Sequence, residues 1–183
     1  MFIDCHAGLM KKAILSGLAI FYLCTGCMVS EADHKKLASE GVINKRAVLV
    51  TTATIEINAS REYVWEIITD IPNWSKWNQA IPRIMATGTT YKGDNFTWKW
   101  NKKIYSNVRY FDKEKKLVWF SKSLLYTSIM VWEFEKISHN KTRVTVTESR
   151  EGLFMYLASA HKHKKSLEDW LGSLKARCEV VIF

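Results

Sequence analysis

The stretch from Ile55 to Ile84, IEINASREYVWEIITDIPNWSKWNQAIPRI, constrains the fold more than any other. It begins as the end of a strand, where Ile55 and Ile57 alternate with Thr54, Glu56 and Asn58. At Ala59-Ser60 the period changes to that of a helix. Ser60 is a natural N-cap, Glu62 places a carboxylate near the positive end of the helix dipole, and Val64, Trp65, Ile67 and Ile68 form one apolar face. Asp70-Ile71-Pro72 ends that helix and starts a shorter one, because proline suits a first helical turn. Pro82 ends the second. Both prolines of the chain fall in this window, with three of its eight tryptophans, Trp65, Trp74 and Trp77. Helix packing accounts for the spacing of these three, so they are read as structural seals rather than ligand contacts.

The flanking sequence is of two kinds. Ala47 to Asn58 reads as a first strand, rich in Val, Thr and Ile. Beyond Pro82 the period is two. Arg83–Thr87 is a short strand, and Asn95–Asn101 sets Phe96, Trp98 and Trp100 against Thr97 and Lys99. Ile104–Phe111, Leu117–Ser121, Leu125–Glu135 and Thr142–Ser149 follow, joined by short polar links that predict an antiparallel meander. From about Leu153 to Val181 the period is helical again, and no proline interrupts it. Gly172 costs that helix about 1 kcal/mol relative to Ala, and is expected to allow close packing on the sheet.

Strand, two short helices, strands, long helix: this order resembles the SRPBCC (START/Bet v 1-like) superfamily, in its bacterial polyketide cyclase/dehydrase and lipid-transport branch. The residues that carry the resemblance include Ile55 to Asn58 leading to Val64-Trp65, Thr69-Asp70-Ile71, Asn73-Trp74 and Trp77-Asn78. Further on they are Phe96-Thr97-Trp98, Trp119, Val131-Trp132-Glu133-Phe134, Thr142-Arg143-Val144, Glu148-Ser149, Gly152, Trp170-Leu171 and Leu174-Lys175. The resemblance implies an α+β helix-grip fold, a curved antiparallel sheet around a long C-terminal helix, with a cavity between the two.

The inward faces of the strands supply the candidate ligand-binding residues Phe96, Trp98, Trp100, Trp119, Met130 and Trp132. Such a wall suits an apolar or aromatic ligand. The same rings can also fill the core by themselves. Glu148 is the sharpest polar candidate, because it shares a face with the inward Val144 and Val146. If Phe134 pairs with Val144 in the last hairpin, Met130 stands across from Glu148. A carboxylate there can hold a polar ligand head or act as a base with a raised pKa. The alternative is a solvated group near a strand end. In many members of the superfamily the position aligned with Met130 is His, so the expected acid–base partner is missing. His161 and His163 are two apart on a helix and face different ways. With Lys162, Lys164 and Lys165 they read as a solvated face rather than a metal pair. No cofactor, metal set or placed catalytic triad is expected.

The N-terminal region has its own signal. Met10-Lys11-Lys12, the apolar run Ala13 to Leu23, and Cys24-Thr25-Gly26-Cys27 have the layout of a secretory signal. The run is shorter than the roughly 20 apolar residues that span a bilayer. With Cys at the cut, the segment resembles a bacterial lipoprotein signal peptide, which implies lipidation of Cys27; Cys24 stands where that motif usually has Leu. The expected layout is a signal peptide over 1–26, with Met10 an alternative start, a polar tether over 27–46, and the helix-grip domain over 47–183. A net charge of +9 comes without a nucleic-acid motif or a long basic tract, and reads as a basic surface. The expectation is a membrane-tethered binding domain for a hydrophobic small molecule, a lipid or aromatic compound, lipid-anchored in a bacterial cell envelope. The alternatives are a cyclase/dehydratase-like enzyme using Glu148, an interaction-only domain with a filled core, and, for location, a secreted or periplasmic protein.

Overall fold

Each alternating strand has an apolar face that only a second layer can cover, and the strands gather into one sheet for that reason. The computed structural model describes residues 30–86, 90–99 and 103–180. Among these the strands are β1 (Leu49–Ile57), β2 (Arg83–Met85), β3 (Asn95–Lys99), β4 (Lys103–Asp112), β5 (Lys116–Lys122), β6 (Thr127–Ser138) and β7 (Lys141–Glu151). They form one sheet in the order β1-β7-β6-β5-β4-β3-β2, with every neighbour antiparallel. The first strand therefore lies beside the last. Cys27 and Trp100 lie outside the described residues.

The helices are α1 (Glu31–Ser39), α2 (Arg61–Thr69) and α3 (Ala160–Cys178), with short 3₁₀ helices at Ile71–Lys76 and Leu153–Leu157. The Ser60 hydroxyl caps α2 by accepting from the Tyr63 amide. The stripe Leu167, Trp170, Leu171, Leu174 and Cys178 turns α3 toward the sheet. It packs on β1 and α2, closing over Ala53, Ile57, Trp119, Met130, Trp132, Phe134, Val144 and Val146. Full burial of a side chain of Val or Leu size contributes about 1.5–3 kcal/mol, so this layer contact is the main source of stability.

Trp65 sits edge-on to Phe111 and Phe134, with ring centroids 5.1 and 5.3 Å away. Trp74 is fully buried. Its indole nitrogen donates to the Ile68 carbonyl at 2.9 Å, and its ring meets Trp119 at 5.6 Å and Trp170 at 5.3 Å.

Three features differ from the sequence reading. First, the segment expected to be a polar tether contains α1, which lies on the outer face of the sheet. Ala38 and Leu37 cover Val118, Phe120, Ile129 and Val131, with Ile43 and Tyr110 at the margin. The folded unit therefore begins at Glu31, and β5 and β6 are buried on both faces, which is why their middles lose the simple alternation. Second, the terminal helix is not continuous. Ser159 caps α3 by accepting from the Lys162 amide, and the preceding 3₁₀ turn carries Leu153, Phe154, Tyr156 and Leu157 outward while Met155 is buried. Third, a methyl group built on Gly172 meets nothing within 4 Å, so this glycine is not there for close packing on the sheet.

Candidate functional site

The strand register builds two successive rows across the concave face. The outer row is Phe96, Ser106, Ser121, Ser128 and Arg150, each directly opposite the next on strands β3 to β7. The next row inward is Val108, Trp119, Met130, Glu148 and Thr51, on β4, β5, β6, β7 and β1. The three serines are buried. The indole nitrogen of Trp98 donates to Ser106 Oγ at 2.9 Å, and Ser106 Oγ lies 2.7 Å from Ser121 Oγ. Small hydroxyl side chains make this end of an otherwise aromatic sheet polar.

Glu148 points inward, with Met130 opposite, as the hairpin register predicted. It is buried rather than solvated. Arg150, two residues along the same face, donates from its terminal guanidinium nitrogen to Glu148 Oε2 at 2.9 Å. His163, on the first turns of α3, places Nε2 3.1 Å from the same oxygen. The Arg150 guanidinium also stacks 4.6 Å above the Tyr126 ring. Burial alone pushes the Glu148 carboxyl up, but the charge of Arg150 and the contact with His163 outweigh it and hold the group well below the usual carboxylate range. This reverses the expectation of a base with a raised pKa. Burial pushes the Tyr126 phenol up to about 12.

The other expected wall residues, Phe96, Trp98, Trp119, Met130 and Trp132, are all buried on the concave face. They pack on one another and on α3: Trp119 meets Trp132 at 5.8 Å, and Trp132 meets Trp170 at 5.3 Å. The indole N–H groups of Trp119 and Trp132 are buried and have no acceptor among the described residues. Thr51 Oγ1 and Arg150 Nε are buried in the same condition. Native interiors rarely leave such groups orphaned, and a bound molecule or water is the usual partner. A separate cleft of about 350 Å³ lies at the far side of the sheet, lined by Arg83, Met85, Thr97, Trp98, Lys99 and Lys103. No group of three or more possible metal ligands occurs among the described residues.

Sequence reasoning missed Arg150, His163, Thr51 and the serine row. His163 carried a readable signal: it stands four residues before Leu167, on the buried stripe of α3. His161 is exposed, as expected.

Solved structures share this architecture at low identity. A hypothetical protein from Helicobacter pylori superposes with a TM-score of 0.67 at 15% identity, covering 74% of this chain and 90% of its own. A START superfamily protein from Mycobacterium smegmatis gives 0.61 at 16%, covering 71% and 97%. The di-domain ARO/CYC protein StfQ of the steffimycin biosynthetic pathway gives 0.58 at 15%, covering 70% and 44%. No curated protein matches the chain. The fold is thus the START/Bet v 1-like helix grip, of the SRPBCC superfamily. The profile of the family described as polyketide cyclase / dehydrase and lipid transport matches residues 49–179, and the chain belongs to that family. The family points to a ligand-binding domain for a hydrophobic small molecule.

Proposed function

We propose that this domain binds a lipid or aromatic compound between the sheet and α3, without transforming it. The bound compound carries at least one hydrogen-bond acceptor. The observation that carries this reading is the pair of buried indole N–H groups, Trp119 and Trp132, that lack acceptors. A carbonyl, ether or hydroxyl oxygen of a ligand satisfies them. The serine row with Arg150 and Glu148 receives the polar end, and the tryptophan rings receive the apolar body. Tethering through a lipid on Cys27, in a bacterial cell envelope, completes the proposal; the signal-like residues before it are its support.

Mass spectrometry of the full chain, purified gently and then extracted with solvent, tests the binding. A hydrophobic compound should travel with the wild type. A W119F/W132F double variant should retain about tenfold less, the loss expected for one or two hydrogen bonds. A wild type that carries nothing, and takes up no anilinonaphthalene sulfonate dye, overturns the reading. A C27A variant that stays in the membrane fraction removes the tether.

The contact between His163 and Glu148 favours a second reading, an enzyme of the cyclase or dehydratase kind. There Glu148, held ionised, orients His163, and the imidazole handles the proton. Turnover of a candidate substrate that survives both E148Q and H163N unchanged sinks that alternative.

A further inference from the structure

We propose that the end of the domain formed by the β5–β6 loop and the 3₁₀ turn Leu153–Leu157 is a docking surface for an anionic lipid bilayer. Five large apolar side chains stand out of the fold there: Leu124 is 88% exposed, Leu157 87%, Tyr156 63%, Phe154 54% and Leu153 49%. The two loops touch. A methyl group on Gly152 would lie 2.5 Å from the Leu125 carbonyl oxygen, so backbone meets backbone beneath the exposed side chains. Exposed apolar residues gathered at one end mark an interaction site, whereas scattered ones need no explanation.

The charges beside them decide what the partner is. The run from Gly152 to Lys165, GLFMYLASAHKHKK, contains Lys162, Lys164 and Lys165 and no acidic residue. A helix N-terminus favours negative charge, yet the first turn of α3 has none, and the three lysines follow at once. Lys164 and Lys165 reach Glu168 and Asp169 one turn on, at 3.8 and 3.4 Å, in exposed pairs that contribute little. On the other side Lys122 contacts Glu31, which Lys35 also neutralises. An apolar tip flanked by cations that oppose their own helix dipole fits acyl chains beneath anionic headgroups. A second copy of the chain does not fit, since two-fold pairing of this end would set the lysine clusters of the two copies against each other. The contact of Glu31 with Lys122, two residues before Leu124, also means that the chain enters the folded unit at this end.

This surface stands independently of what the concave face binds. The test is sedimentation of the full chain, made by cell-free synthesis so that Cys27 carries no lipid, with two kinds of vesicle: phosphatidylcholine alone, and phosphatidylcholine with about one-third phosphatidylglycerol. The wild type should bind the anionic vesicles about tenfold better than the neutral ones. An L124S/L157S variant should lose most binding to both, and a K162S/K164S/K165S variant should lose the preference for the anionic ones. Near-ultraviolet circular dichroism of the buried tryptophans checks that each variant is folded. Since every changed side chain is exposed, a second pair, F154S/Y156S, is available if either variant misfolds. Binding that both sets of variants leave unchanged means that other residues attach the chain to lipid, and overturns the proposal. So does a wild type that ignores vesicles, or one that dimerises through Leu124 and Leu157 instead. Loss of vesicle binding with the co-purifying compound retained would separate this surface from the ligand site.

Discussion

His163 Nε2 lies 3.1 Å from Glu148 Oε2, so the first turns of α3 are fastened to the last third of β7 by a buried histidine and a buried carboxylate. Glu151, three residues further on, lies on the opposite face of the strand, where it accepts from Asn44 Nδ2 at 3.1 Å and stands 3.8 Å from His34. The two glutamates are tuned in opposite directions.

Burial raises the carboxyl of Glu148, but Arg150 and His163 outweigh it and bring the folded value to about 2, from 4.5 in the unfolded chain. A depressed folded value means that the stabilisation is present above 4.5 and is lost as pH falls toward 2. E148Q should therefore be less acid-sensitive between these limits. At neutral pH it should be less stable by about 3 kcal/mol, the cost of leaving Arg150 partly buried without its anion. Burial raises the Glu151 carboxyl, with Asn44 pulling weakly the other way. A raised folded value means that the ionised form is a penalty above it, so E151Q should stay within about 1 kcal/mol of wild type at neutral pH. Urea denaturation across pH checks both variants.

The indole nitrogens predict a ranking of conservative substitutions. In the ligand-free chain W132F should cost little, because the lost packing is offset by removal of an orphaned donor. W74F should cost about 1–2 kcal/mol more, since it deletes the hydrogen bond to Ile68 and leaves that buried carbonyl unpaired. Equal urea midpoints for the two would show that Trp132 Nε1 has a partner after all.

Two glycines should respond in opposite senses. Gly152 has φ of 154°, and a methyl group there would lie 2.5 Å from a backbone oxygen, so G152A should cost about 2 kcal/mol or more. Gly172 sits inside α3 with open space around it, so G172A should stabilise by about 0.5–1 kcal/mol. Thermal unfolding measures both.

A chain cut to begin at residue 47 removes α1 and uncovers Val118, Phe120, Ile129 and Val131. It should lose about 3 kcal/mol or more and elute in part as aggregate on gel filtration. A truncated chain as stable as the full one would return α1 to the role of a mere connector.

Much of the fold was legible because its signals are local. Period-two alternation placed the strands from Asn95 to Ser149, and the hairpin register put Met130 opposite Glu148. The site was legible only in part. Arg150 fell beyond the expected end of the last strand, and His163 was masked by the lysines around it. The serine row exists only when four strands are aligned, since Ser106, Ser121, Ser128 and Arg150 are remote in sequence and unremarkable one by one. Helix α1 gave little warning because its buried side is His34, Leu37 and Ala38, of which only Leu37 is large and apolar.

The pairing of β1 with β7 sets a condition on how the chain comes to fold. Thr54 and Thr145 share a hydroxyl contact across 91 positions, and the whole β1–β7 ladder joins residues as remote as these. That ladder cannot be sealed until the ribosome has made the strands between, β2 to β6, and β7 itself. Contacts so far apart in sequence also slow folding, typically to the millisecond-to-second range. Leu49–Ile57 must therefore wait as an unpaired edge while β2 to β7 are made, open to chaperones or to whatever machinery moves unfolded chains.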